Sequence, residues 1–411
     1  MTANSSRLQC LLWDDEAAWG DTVTSMAGAK KITILEPIDV SGLTHPMLES
    51  GRVTQYLQER TAGVPGVQQG SFSFRVYLCG HGSTTAGAIT LSDLENLMGW
   101  VLGAVKATPA DGTTVNGGAS TTTNAVTVAS ATFAAGQLFR ICTKGDGGAD
   151  GQWGVVNTHT LTDLLSRTAF AAAPANGAVV YTAANVHTTE AASGSAISGY
   201  RFQIFTANKQ FICHGCFPTG VTLDLPISGL PTATITIGVS WFELTADTFP
   251  ETTALTTHTP APIAAGSFFL QTHGTTTRNT LSIRSFSLDV QLGVQPLMGP
   301  DGNNAYQAIV GARRMPSKIT ATVVVDALAA ATNPTYWAAW LTNSAHHILY
   351  SLSTANGQAM AVYLSRVFYG GNRPTQNDMD GLNRTTLVFD ASTNNVTTSE
   401  LTLSALRIGF A

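Results

Sequence analysis

From Ser71 onward the chain keeps returning to runs in which apolar and polar residues alternate. SFSFRVYLC (71–79) is the clearest. Others are Tyr200–Thr206, Lys209–Cys213, ATITIGVSWFEL (233–244), Leu281–Leu292, Lys318–Val325, Ala359–Phe368, Thr385–Phe389 and Leu401–Ile408. Successive side chains of a strand point to opposite faces, so this period sets one face on a core and leaves the other in solvent. The residues that recur are Val, Ile, Phe, Tyr and Thr, which suit a pleated, half-buried surface. The expected fold class is mainly β.

Two segments carry a helical period instead. Residues 92–105 open with Ser92 and Glu95 at capping-box spacing, and Leu94, Leu97, Met98, Val101 and Leu102 form one stripe. The second begins with Asn333 as N-cap and Pro334 at the first helical position, with Trp337, Trp340 and Leu341 on one bulky face. Thr160 to Arg167 is a shorter candidate.

Composition narrows the class further. Only 11% of the 411 residues are charged, while 44% are apolar. Disordered chains combine high charge with few apolar residues, coiled coils need charged heptads, and collagen needs Gly at every third position. None of these descriptions fits. The formal net charge is −5, and no run of Lys or Arg exceeds two residues. The chain therefore lacks a polybasic footprint for nucleic acid or anionic lipid. A basic-then-apolar leader and a membrane-spanning run are both absent from the pattern, so no membrane partner is expected. Cys10, Cys79, Cys142, Cys213 and Cys216 are few and odd in number, which suits reduced thiols better than a secreted disulfide framework.

Shifts in composition divide the chain. Pro109–Ala125 is rich in Gly, Thr and Asn. Val126–Val180 holds VTVASATFAAGQLFRIC, QWGVVN and ANGAVVY, the pattern of a small all-β unit of about five strands. Ala191–Gly199 reads as a joint, and Thr245–Gly266 as a Thr/Pro-rich linker. With the small unit set aside, the two halves share one order of elements: strand, loop, Trp-bearing helix, hairpin, long strand pair. FRVYLCG, LSDLENLMGWVLG, YRFQIFTANKQFICHGC and TATITIGVSWFEL answer to ITATVVVDALAAATN, PTYWAAWLTNS, HILYSLSTANGQAMAVYLSRVFYGG and RTTLVFDAS. The Ala207-Asn-Lys-Gln210 and Ala355-Asn-Gly-Gln358 turns coincide in that order. The expected organisation is a first domain of 1–107 plus 187–250, an inserted small β domain of 108–186, a linker of 251–267 and a second domain of 268–411.

On these residues the chain resembles the tail tube (major tail) proteins of long-tailed, non-contractile bacteriophages. SFSFRVYLCGHG ahead of a helix, the inserted β unit, and AIVGARRMPSKITATVVVDA opening the second half carry the resemblance, which extends over most of residues 30–411. It implies two tandem tail-tube-type β-sandwich or barrel domains, each with a flanking α-helix and a long β-hairpin, plus a small inserted β-barrel unit. It also implies a structural virion protein that self-assembles into stacked rings, forming the hollow tail tube through which genomic DNA passes. The implied partners are copies of the same chain in homotrimeric rings of pseudo-sixfold symmetry, a tape-measure protein, and the tail terminator and distal tail proteins. DNA is a partner only in transit, and no cofactor is implied. The alternative is a receptor-binding or capsid-decorating virion protein. Sparse Lys and Arg suit a lumen that conducts DNA without holding it, and head-to-tail stacking is a heterologous contact that yields an open filament.

Few residues offer chemistry. Cys213-His214-Gly215-Cys216 holds two thiols and an imidazole, and Cys79 or His81 would be needed to complete a zinc set. On one strand Cys213 and Cys216 face opposite sides unless a bulge at Gly215 intervenes, so they are read as packing thiols. His346-His347 is expected to open a strand with a ring on each face. Lys144–Asp150 places two acids in a glycine turn, short of the oxygens calcium needs, and reads as an exposed turn. Arg313-Arg314 is read either as pairing with acids across a subunit contact or as a solvated strand edge. Trp337 and Trp340 are read as core. G-x-S-x-G and G-x-x-x-x-G-K-[ST] are both missing. No catalytic, cofactor-binding or metal residue is assigned, and no enzyme activity is expected.

Overall fold

A computed structural model describes residues 9–23, 29–48, 64–80, 91–106, 113–114, 122–128, 133–142, 151–159, 163–174, 178–182, 184–188, 195–206, 209–226, 229–245, 266–276, 280–300, 302–326, 333–352, 358–379, 382–392 and 404–411. The molecule is mainly β, and among the described residues all strand ladders are antiparallel. The alternating segments become strands, several of them longer than their periodicity indicated. Lys209–Cys213 extends to Pro226, and Lys318–Val325 begins at Ile309. The 233–244 run breaks at Ser240 into Thr232–Val239 and Trp241–Thr245.

The pairings repeat between the halves. In the first, Gln9–Asp15 lies between Lys30–Ile32 and Tyr200–Thr206. Tyr200–Thr206 pairs with the start of Lys209–Pro226. Lys209–Pro226 pairs with Trp241–Thr245 and then with Thr232–Val239, which pairs with Gly70–Tyr77. In the second half, Ser267–Thr272 lies between Thr280–Leu281 and His346–Leu352. His346–Leu352 pairs with Met360–Phe368, which meets Leu406–Phe410 and Leu382–Ala391, and the latter pairs with Ile309–Val325. Each of these six first-half ladders has a counterpart in the second, while the short ladder of Met47–Leu48 with Val64–Pro65 has none among the described residues. The strands Gly70–Tyr77 and Ile309–Val325 precede helices α1 (Asp93–Leu102) and α2 (Asn333–Leu341) respectively.

A further ladder joins the halves. Gly220–Pro226 pairs with Ser285–Gln291, part of Ile283–Met298, which runs beside Ile309–Val325 as a long hairpin. One seven-stranded sheet results, in the order Gly70–Tyr77, Thr232–Val239, Lys209–Pro226, Ile283–Met298, Ile309–Val325, Leu382–Ala391, Thr375–Met379. Its inner face carries Val76, Ala233, Leu223, Leu288, Ala321 and Phe389 in one row, all buried. These residues belong to a single apolar core that spans both halves.

Helix α1 is shorter than its stripe indicated. The Ser92–Glu95 capping box forms as expected. Gly103, at φ 140°, ends the helix, and Gly103–Lys106 continues as a strand instead of completing the helix to Val105. Its last carbonyls are bonded by a residue from the other half. Arg314 donates from Nη1 to Val101 O at 3.0 Å and from Nη2 to Trp100 O. A cation at a helix C-terminus meets the negative end of the helix dipole. Arg314 is therefore not a solvated edge residue but a partner of the helix end, whereas Arg313 is exposed. Burial lowers the Arg314 guanidinium to about 10. Arg314→Met should cost about 2–3 kcal/mol, since it strands two carbonyls of charge-assisted bonds. Chemical denaturation checks this, and a loss below about 0.5 kcal/mol would contradict it.

The Val126–Val180 pattern folds as a six-stranded sheet that also takes in Thr113–Thr114. It has its own core of Val126, Phe139, Ile141, Val156, Leu164 and Val180, among others. The helix expected from Thr160 is overturned within the described residues. Asp163–Ser166 is a strand paired with Trp153–His159 and Ala125–Thr127. Leu164 is buried and Leu165 exposed, which is the period of a strand rather than a helix. The stem of this sheet consists of Gly103–Lys106 and Ala184–Thr188, paired with each other, and the second strand also pairs with Leu406–Phe410. Ala184–Thr188 therefore crosses the boundary expected between 186 and 187.

Candidate functional site

The outer face of the seven-stranded sheet is a continuous surface built from rows of residues in register. One row crosses six strands in register: Arg75, Thr234, Thr222, Asp289, Thr320 and Asp390. The next reads Tyr77, Thr232, Asp224, Ser287, Thr322 and Val388. A third reads Ser73, Thr236, Gly220, Gln291 and Lys318. Alternation dictates this surface: each of these residues neighbours core positions along its strand.

Hydroxyls dominate the face, and its charges are dispersed and mixed in sign. Ser73 Oγ and Thr236 Oγ1 lie 2.9 Å apart, and Thr320 donates to Asp390 at 3.4 Å. Arg75 donates to Thr232 Oγ1 and lies 3.4 Å from Glu36 and 3.6 Å from Asp224. Such exposed ion pairs add little stability, but they neutralise a cation that would otherwise retain phosphate. The outer edge of Gly70–Tyr77 carries no strand ladder among the described residues, but the chain before it lies along part of it: Leu35 N donates to Arg75 O, Gly42 and Leu43 pack against Gly70 and Ser71, and Thr44 bridges Gln69. Thr375–Met379 likewise pairs on one side only. The arrangement fits contact with other strands or a water-lined passage.

The Cys213–Cys216 motif lies where Lys209–Pro226 bends. The ladder shifts register between Tyr200 and Phe202, opposite Cys216 and Cys213, and Gly215 has φ 57°. A Cβ on Gly215 would meet Ser240 Oγ at 2.6 Å. The bulge turns both thiols into the core. Burial pushes both well above the ordinary thiol range, so they are packing groups held as unreactive thiols. Cys79 is buried elsewhere in the same core, and His81 lies outside the described residues.

His214 faces the other way and meets residues that the sequence reading did not connect to it. Its ring stacks on Trp241 at 3.9 Å, with Nδ1 3.7 Å from Glu16 Oε1 and Nε2 3.8 Å from Glu243 Oε1. Glu16 accepts bonds from Gly215 N and Gly20 N, each at 2.9 Å. Asp21 lies 3.8 Å from Arg201 Nη1. Burial raises Glu16 to about 7 and lowers His214 to about 4. The acidic run Asp14-Asp15-Glu16 was visible in the sequence, but nothing local ties it to a histidine nearly two hundred residues away.

His346 and His347 open their strand as expected, one ring against Tyr369 and Phe389, the other against Gln271, His273 and Tyr363. Burial lowers His347 to about 3. A base depressed in the fold contributes stability that is present above its unfolded value, near 6.5, and is lost as pH falls toward 3. Between pH 7 and pH 5 this residue should account for a loss of about 2 kcal/mol. Denaturation across that range checks it: His347→Gln should flatten the slope, and an unchanged slope would refute the assignment. Trp337 and Trp340 are half-buried and edge-on to each other, with Trp340 packed on the core. Lys144–Asp150 lies outside the described residues. Among the described residues no helix is long and apolar enough to cross a membrane. Searches against known protein families and against curated proteins find no match to this chain.

Proposed function

We propose that the chain is a structural subunit of a phage tail tube, self-assembling into stacked rings around a channel through which genomic DNA passes. The observation that carries this reading is the continuous seven-stranded sheet, with its hydroxyl-rich outer face and two edge strands, Gly70–Tyr77 and Thr375–Met379, that each have a ladder partner on one side only among the described residues. Closing such sheets edge to edge removes the unpaired edges. Three copies, with strands about 4.8 Å apart and tilted about 40°, close a barrel about 40 Å across, wide enough for duplex DNA. The matched ladders of the two halves support a reading as two tandem tube-type domains, so that a homotrimer has pseudo-sixfold symmetry. In this reading the six-stranded unit is an insertion, the tape-measure, terminator and distal tail proteins are neighbours, and the virion is the location.

Negative-stain microscopy of the purified protein tests this. Rings or hollow tubes of uniform width are expected. Monomers or closed trimers that never polymerise, and that bind bacterial surfaces or capsids instead, would replace it with a receptor-binding or decorating role.

A further inference from the structure

We propose that Glu16, Asp21 and His214 form a binding site for a divalent transition-metal ion of the zinc type, with Glu243 orienting the histidine. The inference does not depend on the assembly reading. One ligand atom from each of the three residues lies within 4.8 Å of the other two. Ligands about 2.0 Å from a tetrahedral ion stand about 3.3 Å apart, so a modest closure of side chains completes the set. The Glu16 and His214 side chains are fully buried and that of Asp21 nearly so.

The histidine supplies the independent sign. No group meets either His214 ring nitrogen with full hydrogen-bond geometry, although both are sealed from solvent; the Asp21 backbone carbonyl reaches the ring only as a weak partner. Buried polar atoms are ordinarily bonded, and leaving two poorly bonded is costly. Nδ1 points to Glu16 and Nε2 to Glu243. A histidine that binds a metal through one nitrogen usually gives the other N–H to a carboxylate, which fixes its tautomer and orientation. The stacked Trp241 ring holds the imidazole plane, and Trp241 Nε1 donates to Gly20 O at 3.0 Å, bracing the Glu16–Asp21 turn.

Charge argues the same way. Glu16 and Asp21 bring two buried carboxylates, and Glu243 a third at the partly solvent-exposed rim, against the single guanidinium of Arg201. A doubly charged cation balances the group, and buried charge is tolerated only when balanced. The ion would pin the Glu16–Asp21 turn to the bend of Lys209–Pro226. That turn also reaches the long hairpin of the second half, where Trp19 Nε1 donates to Ile309 O at 3.1 Å. The ion would therefore act as a structural staple held by three ligands of this chain.

The test uses the full chain, stripped with a chelator and then titrated with zinc chloride. About one ion per chain is expected by elemental mass spectrometry, with Tm rising about 3 °C at a hundredfold excess over Kd. His214→Gln and Asp21→Asn should each weaken binding at least tenfold, and Glu243→Gln about tenfold. The Cys213→Ser, Cys216→Ser double variant should bind as the unaltered chain does. Cobalt loaded into the unaltered chain should show visible absorption without a thiolate charge-transfer band, a readout that does not depend on any variant folding. No stoichiometric ion, a thiolate band, or full binding by a folded His214→Gln chain would each overturn the assignment.

Discussion

Ser73→Pro should leave the chain folded and abolish its assembly, while Ser73→Ala should assemble normally. Gly70–Tyr77 pairs with Thr232–Val239 on one side, and Arg75 O turns to the other side to accept from Leu35 N. A strand residue's N–H and C=O point the same way, and the direction reverses at each step, so the Ser73 N–H points outward with that of Arg75. Proline there removes one open-edge donor and no ladder bond, which is where strands tolerate it. The alanine variant loses only the Ser73–Thr236 contact. If rings close through this edge, proline should raise the concentration needed for assembly more than a hundredfold, which corresponds to about 3 kcal/mol per joint. Sedimentation and electron microscopy read the result. Tubes formed by Ser73→Pro at ordinary concentration would exclude this edge as the joint and remove the observation on which the proposed function rests.

The second large effect concerns the six-stranded unit. Excising residues 107–183, with a short turn joining Lys106 to Ala184, should destabilise the second half by several kcal/mol. An outward-facing ornament would be removable, but this unit shares a core with its neighbour. Leu138, Trp153 and Val155 pack with Phe269, Leu349, Ala359, Ala361, Tyr363 and Ala411. A Cβ on Gly409 would stand 2.8 Å from the Trp153 ring, so the last strand comes as close to that indole as a glycine allows. The Asn185 side chain accepts from Leu138 N at 2.8 Å and donates to Leu138 O at 3.2 Å, joining the stem to the unit. Trp153→Ala alone should cost about 3–5 kcal/mol, the range for a large buried aromatic. Excision would in addition uncover the apolar face beneath it and should increase binding of a hydrophobic dye. Unchanged stability and no dye binding would show that the shared core contributes nothing.

Much of the fold was legible because period two is a local property. The strand from Tyr200 to Thr206 falls where alternation set it, and the Ser92–Glu95 box marks the start of α1. Errors arose where a local signal was short or ambiguous. Four residues around Leu164 and Leu165 carry too few periods to separate helix from strand, and pairing on both sides decided for strand. The extension of Ile309–Val325 across Arg313-Arg314 and Pro316 has no alternating pattern at all. It is held by its hairpin partner and by contacts with the other half.

The candidate sites divide in the same way. The hydroxyl surface was implicit in every Thr of ATITIG and ITATVVV, because a residue beside a core position on a strand must face outward. That these rows join into one sheet across both halves required the ladder between Gly220–Pro226 and Ser285–Gln291. CHGC drew attention for its thiols, yet the bulge at Gly215 buried them and turned the histidine toward Glu16 and Asp21. Period, caps and composition act over a few residues, and they sufficed for the class and most of the elements. Which strands become neighbours, and which carboxylates meet one imidazole, depends on long-range burial and pairing, and those are satisfied only when the whole chain has closed on its core.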